Sequence, residues 1–304
     1  MTNLFRSLVF VPGNNPRFLE KAKTISADIV CFDLEDSVPE KEKSKARKLI
    51  KTALAQRKHY LPNVYVRTNS PESGKIESDL KEIIQKGVDG VVIPKVNSAK
   101  ELKKIEKTII SLEKKAKISG TRIIPSIESA LGVVNCYEIA SYSKRIDAIV
   151  FGIFDLLNDM GIEYTKGNPL GAKYSRYKIP VVATAAGVYA IDGIWQDVKD
   201  KSGLRKDCKI GRSLGYVGKS VIHPDQVETV HKIFHPNKTE VAWAKLVVKT
   251  YNNSTKKGKG ATVVDNKMID EVHYKRAKAL LLSLIHISEP TRPRLISYAV
   301  FCLK

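Results

Sequence analysis

A chain of 304 residues with 43% hydrophobic and 28% charged content can bury a large core, and its patterning excludes a disordered polymer. The formal charge of +20 raises nucleic acid as a partner, but the lysines are dispersed over segments such as Lys41 to Lys51, Lys100 to Lys117 and Lys245 to Lys259, and aromatic stacking motifs are lacking. That pattern reads as a solvated face, which would also help an anionic small molecule to reach a site. Cys31, Cys136, Cys208 and Cys302 show no C-x-x-C spacing, and no stretch has the length of a membrane span or a leader. The expectation is a cytoplasmic protein with neither nucleic acid nor membrane as partner.

Phe5 to Val11, closed by Pro12-Gly13, predicts the first strand, and Asp28 to Asp33 predicts the second. Between them Pro16 to Thr24 reads as a helix capped near Asn14 or Asn15. Glu35-Asp36-Ser37 leads into a helix from Pro39 toward Ala55, followed by strands at Val64 to Arg67 and Gly90 to Pro94. Helical patterns fill 75–86 and 98–116. The fifth to eighth strands are expected at Arg122 to Ile127, Ala148 to Phe151, Ile179 to Thr184 and Tyr216 to Ile222. Eight apolar runs alternating with helices predict an α/β protein, a (β/α)8 TIM barrel over residues 1–235. A dinucleotide fold is disfavoured, since no G-x-G-x-x-G turn follows the first strand.

Residues 236–281 read as a helical C-terminal appendage: Thr239 to Tyr251 is helical, Asn252 to Gly260 is rich in Lys, Gly, Ser and Asn, and a last helix runs into Leu281. Residues 282–304 are of another kind. Leu282 to Arg292 matches one reading frame of a transposase adapter used in DNA library preparation, and Ile296 to Leu303 matches the flow-cell primer that follows it after an index-length gap. The expectation is an assembly artefact, with the natural chain continuing differently after about Leu281.

The chemistry is concentrated between Arg122 and Asp155. Arg122-Ile-Ile-Pro-Ser-Ile-Glu128 and Ile149-Val-Phe-Gly-Ile-Phe-Asp155 are apolar runs that each end in an acid, at the carboxyl ends of successive strands where such folds place their sites. Either acid alone could cap a helix. Arg67, which ends the third strand, belongs at the same mouth and could pair with Glu35 or Asp36. Together, two carboxylates plus waters suit Mg²⁺, and a guanidinium beside them can clamp a substrate carboxylate. Such a site would bind a 2-oxo acid and polarise its carbonyl, the machinery of carbon–carbon chemistry through an enolate.

Seven motifs carry a resemblance: Arg6-Ser-Leu-Val-Phe-Val-Pro-Gly13, Phe32-Asp-Leu-Glu-Asp-Ser-Val38, Val66-Arg-Thr-Asn69, Pro125-Ser-Ile-Glu128, Phe151-Gly-Ile-Phe-Asp-Leu156, Ala185-Ala-Gly187 with Ile191-Asp-Gly193, and Gly218-Lys-Ser-Val-Ile-His-Pro224. In these the chain resembles the HpcH/HpaI aldolase and citrate lyase beta-subunit family, with its malyl-CoA and citramalyl-CoA lyases. The resemblance implies Mg²⁺ on Glu128 and Asp155, the substrate carboxylate on Arg67, and Glu35 or Asp36 supporting the waters around the metal. It implies a CoA thioester and a 2-oxo acid as reactants, in a homo-oligomer where the appendage of a neighbouring subunit delivers an acid/base. Lys267-Met-Ile-Asp270 matches that motif, which makes Asp270 the candidate; its other role would be a helix cap. Glu271-Val272 replaces the Pro often found after this Asp, Thr184 stands where relatives often carry Arg, and the loop from Glu163 to Lys173 is not diagnostic. His223 in the Ile-His-Pro turn is expected to be structural or to edge the ligand rather than act as a base. The citrate lyase beta subunit, whose thioester sits on an acyl-carrier partner, is the alternative within the family.

Overall fold

Period-two alternation sorts the strand residues into two layers, and the layers dictate the architecture. The structure, a computed structural model, describes residues 5–165, 170–256, 258 and 260–288, without the side chains of 282, 283 and 285–288. Among them β1 (Ser7–Pro12), β2 (Ile29–Asp33), β3 (Asn63–Arg67), β4 (Gly90–Ile93), β5 (Arg122–Ile127), β6 (Ala148–Phe151), β7 (Tyr189–Asp192) and β8 (Gly218–Val221) form a closed barrel. Every neighbouring pair is parallel, and β8 returns to β1 with Leu8 opposite Ser220. Leu8, Cys31, Tyr65, Val92, Ile124 and Val150 fill the interior as one apolar cluster. Their neighbours Val9, Val30, Val64, Val91, Ile123 and Ile149 join the larger cluster under the helices. Tyr65 fits because Gly90 lies opposite it, where a Cβ would come within 2.2 Å of the ring.

The surrounding helices are α1 (Pro16–Lys21), α2 (Lys43–Ala55), α3 (Ile76–Ile83), α4 (Ala99–Ala116), α5 (Ala130–Val134), α6 (Cys136–Ser141), α7 (Ile153–Asp159), α8 (Lys173–Ala186), α9 (Lys201–Leu214) and α10 (Val227–Phe234). Asn15 caps α1 by accepting from the amides of Arg17 and Phe18. Ser98 caps α4, an interaction worth about 1 kcal/mol. Cys31, Cys136 and Cys208 are buried free thiols, and Cys302 lies outside the described residues. No described helix is long and apolar enough to cross a membrane.

One expected strand is corrected. Ile179 to Thr184 lies inside α8, and the seventh strand is Tyr189–Asp192. A short apolar run does not by itself distinguish a strand from a buried helix face, and Pro180 argues against a helix interior. The helix accommodates it because the carbonyl that loses its i+4 donor, Arg176 O, accepts instead from the Tyr216 hydroxyl at 3.0 Å. Ile179, Pro180, Val182 and Ala183 are buried on the barrel side, while Thr184 bonds back to Pro180 O.

From His235 onward the chain forms a separate compact unit. It comprises α11 (Lys238–Thr255), an antiparallel hairpin of β9 (Thr262–Val264) and β10 (Lys267–Ile269), and α12 (Glu271–Ser288). Asp265 and Asn266 both take positive φ, 49° and 59°, as a two-residue hairpin turn requires. Ala244, Val247, Val264, Ile269 and Ala277 make its core. Of the adapter-like segment, Leu282 to Ser288 continue α12, and 289–304 lie outside the described residues.

Candidate active site

The inward parity of three strands delivers the principal side chains to one mouth. Ile29, Cys31 and Asp33 share a face of β2, Tyr65 and Arg67 a face of β3, and Ile124, Ser126 and Glu128 a face of β5 and its extension. Asp155 arrives differently, from the first turn of α7 directly after β6. The four residues line one open cavity of about 430 Å³.

Arg67 is locked by a residue that the sequence reading passed over. Asp33, its register partner, takes Nε and Nη2 bidentately, both at 2.7 Å. Asp33 also accepts from the Ser37 hydroxyl and from the amides of Glu35 and Ser37. Burial alone would raise the Asp33 carboxyl, but Arg67 and these donors hold it below the usual range. The Phe10 ring covers the guanidinium, whose centre is 4.6 Å from the ring centroid. The side edge of the guanidinium is therefore spent on Asp33, and the end edge carrying Nη1 and Nη2 remains for other acceptors. Glu35 Oε2 approaches Nη1 at 3.0 Å in ion-pair contact, without hydrogen-bond alignment, and Asp36 stands at 3.5 Å.

Glu128 is buried, and its Oε2 has no hydrogen-bond partner among the described residues. Burial raises its carboxyl first and Asp155 adds to that, while Arg67, the Ser126 hydroxyl and Lys95 oppose the rise. Helix capping is done by others: Ser129 caps α5, and Gly152 is the N-cap residue of α7. Gly152 is also where Glu128 packs, since a Cβ there would lie 2.3 Å from Glu128 Cγ and 2.8 Å from Cδ. Burial likewise pushes Glu35 up to about 8, with Glu128 and Asp36 contributing and Arg67 and Lys95 opposing.

Lys95, just after β4, was not singled out in the sequence. Its ammonium lies 2.9 Å from Glu35 Oε1, 3.2 Å from Asp155 Oδ1 and 3.5 Å from Asp36 Oδ1. Its backbone is left-handed at φ 53°, a strained conformation for a residue with a Cβ.

A buried carboxylate with an orphaned oxygen, beside a half-exposed second carboxylate in a polar cavity, fits a hard divalent cation. Among the described residues the acids do not form a cage of three or more metal ligands, and Mg²⁺ suits two protein carboxylates because it keeps several waters.

Beneath the mouth lies a second buried charge cluster. Arg176 binds Asp192 at 2.5 Å and Asp207 at 2.8 Å, and Lys219 binds the same two acids at 3.0 and 2.6 Å. These four charges balance, and they tie β7 and β8 to α8 and α9. The adjoining residues Gly193 and Ile194 lead from Asp192 into the site, and Ile194 lines the main cavity.

The profile of the HpcH/HpaI aldolase/citrate lyase family matches residues 6–224. The chain belongs to that family. The family includes lyases of the citrate lyase beta-subunit type, which act on carbon–carbon bonds. The chain is 34% identical to citrate lyase subunit beta of Leuconostoc mesenteroides subsp. cremoris, over 91% of this chain and 92% of the relative. It is 32% identical to (3S)-malyl-CoA thioesterase of Cereibacter sphaeroides, over 91% and 93% of the two chains. Among solved structures, Mycobacterium tuberculosis CitE in complex with magnesium, acetoacetate and coenzyme A superposes with a TM-score of 0.75 at 25% identity, covering 93% of this chain and 98% of that one. A citrate lyase of Burkholderia xenovorans LB400 shares the fold with a TM-score of 0.84 at 16% identity, covering 96% of this chain and 94% of that one.

Two other expected residues have defined settings. His223 accepts from the Asp225 amide through Nδ1 and is half-exposed, so it caps the short turn at Pro224–Gln226. Asp270, in the C-terminal unit, follows β10 and caps α12 by accepting from the amides of Val272 and His273. Its Oδ1 is 2.7 Å from His273 Nδ1, and that hydrogen bond holds its carboxyl below the usual range.

Proposed function

We propose that this chain is a Mg²⁺-dependent carbon–carbon lyase that cleaves, or in reverse forms, a 3-hydroxyacyl-CoA thioester such as malyl-, citramalyl- or citryl-CoA, giving a 2-oxo acid and acetyl-CoA. The observation that carries the proposal is the orphaned, buried Glu128 carboxylate facing one cavity with Asp155 and Arg67. The magnesium, acetoacetate and coenzyme A of the M. tuberculosis relative support it.

Glu128 and Asp155 would hold the metal, with Glu35 and Asp36 beside its waters. Bound Mg²⁺ supplies Lewis acidity toward the oxygens of the oxo-acid end. Arg67, fixed by Asp33, presents its Nη edge to the acid's carboxylate. The substrate hydroxyl passes its proton to solvent water as the carbon–carbon bond breaks, the oxygen's pair forming the new carbonyl and the bond's own pair passing to the thioester as an enolate. Asp270 of a neighbouring copy protonates the enolate carbon. In the condensing direction the Asp270 carboxylate, favoured by its bond to His273, removes the methyl proton. A homo-oligomer in a reducing cytoplasm accommodates this arrangement and the three buried free thiols.

The test is incubation with malyl-, citramalyl- and citryl-CoA, with and without Mg²⁺, following 2-oxo acid and free thiol separately. Mg²⁺-dependent release of oxo acid and acetyl-CoA is expected from at least one ester. Free CoA without oxo acid would identify a thioesterase and overturn the proposal. Asp270→Asn should lose about 100-fold or more in turnover while binding Mg²⁺ as the parent does.

The identity with the Leuconostoc citrate lyase subunit favours a second reading, a beta subunit acting on a citryl thioester of an acyl-carrier protein. Activity confined to the carrier-bound thioester would select it.

Gly152→Ala tests the packing behind the metal site. The added methyl meets Glu128 Cγ and displaces the carboxylate, and turnover should drop by about 100-fold. Steady-state kinetics with a thermal melt checks this, since a change in stability alone would not lower turnover of the folded fraction.

A further inference from the structure

Lys95 has no part in the chemistry described above, yet its ammonium is the compact cation among the mouth's carboxylates. Glu35, Asp36 and Asp155 surround it, and its charge also acts on Glu128. The other cation there, Arg67, is held by the Asp33 fork and the Phe10 ring. Lys95 differs in kind: its charge sits on a flexible four-carbon stem, and its side chain is 35% exposed, so it can leave for solvent. The strained left-handed backbone at this residue places the stem among the acids.

We propose that Lys95 is a stand-in for the metal, an ammonium that keeps Glu35 and Asp155 together in the metal-free protein and competes with Mg²⁺ for Asp155. This rests on the metal site proposed above and adds a determinant of its affinity. With Arg67 committed to Asp33 and neither Lys95 nor a metal present, the remaining acids at the mouth repel one another in a poorly solvated cavity. Lys95 relieves that repulsion and keeps the acids in place. The cost falls on metal binding, because a divalent ion must displace the ammonium from Asp155 Oδ1 or bind against its charge. Lys95 is thus a positioning residue whose effect is opposite for the empty and the loaded site.

The experiment is calorimetric titration of the full chain with Mg²⁺ alone, with no thioester present. Lys95→Met and Lys95→Gln should each bind Mg²⁺ at least tenfold more tightly than the parent. Both should melt at lower temperature in chelator and regain most of the difference in saturating Mg²⁺. Lys95→Arg, which keeps the charge, should bind close to the parent value. Unchanged or weaker Mg²⁺ affinity in a cooperatively melting Lys95→Met or Lys95→Gln overturns the role of Lys95 alone. Equal tightening in Lys95→Arg also overturns it, since charge would not be the cause. If the parent and Lys95→Met both fail to bind Mg²⁺, the metal site falls too.

Discussion

Glu128→Gln should abolish metal-dependent turnover, by about 1000-fold or more, without lowering the melting temperature of the metal-free protein. The two halves have one cause. The Glu128 carboxylate is buried with an orphaned oxygen, so its charge costs stability until a cation arrives. Glutamine keeps the shape, fits beside Gly152 and removes the charge. The reaction then loses the proposed metal ligand, and Lewis-acid stabilisation is worth several kcal/mol, at about 1.4 kcal/mol per tenfold in rate. Asp155→Asn should lose comparable activity but gain less stability, because Asp155 is 36% exposed and already paired with Lys95. Oxo-acid release assays and scanning calorimetry in chelator measure both quantities. Retained turnover in Glu128→Gln would remove the metal assignment.

The largest stability loss is expected at Lys219→Met. Lys219 is 1% exposed, and its removal leaves Asp192 and Asp207 to share Arg176. Breaking a buried ion network in this way costs about 3–5 kcal/mol, a fall of roughly 6–20 °C in melting temperature for a domain of this size. The effect has a pH signature. Burial would raise the Asp192 carboxyl, but Lys219 and then Arg176 overcome it and hold the group below its ordinary value. A depressed folded value contributes stability above the ordinary aspartate range and loses it as pH falls through the folded value. The gap in melting temperature between parent and Lys219→Met should therefore narrow as pH drops below about 4. A gap that stays constant into acid would show that the ion network is not its source.

Much of this was legible in the sequence, for a reason visible at particular residues. Glu128, Asp155 and Arg67 each follow an apolar run, and strand ends in a barrel share a mouth, so distant positions could be placed together. Asp33 was overlooked because it ends an apolar strand next to the more conspicuous Glu35-Asp36 pair, although the parity of Ile29, Cys31 and Asp33 turns it inward. Lys95 was indistinguishable from the many surface lysines; its place just after the fourth strand was the only signal. The seventh strand was misplaced because Ile179-Pro-Val-Val has the composition of a strand. What makes it a helix, the Tyr216 hydroxyl on Arg176 O, lies 40 residues away. The hairpin at Asp265-Asn266 forms no part of the sequence expectation, although a two-residue turn separates Thr-Val-Val from Lys-Met-Ile.

The contact of Gly152 with Glu128 also restricts how this protein can diverge. Any side chain at 152 collides with the acid, so while Glu128 remains the first step away from glycine is closed. Shortening position 128 to aspartate first would open room but withdraw the carboxylate from the cavity. On the metal role proposed for Glu128, each single substitution lowers turnover, so the two positions are expected to change together. Ser220 and Ile222, which line the same cavity at the end of β8, are positions where its shape can change without touching that contact.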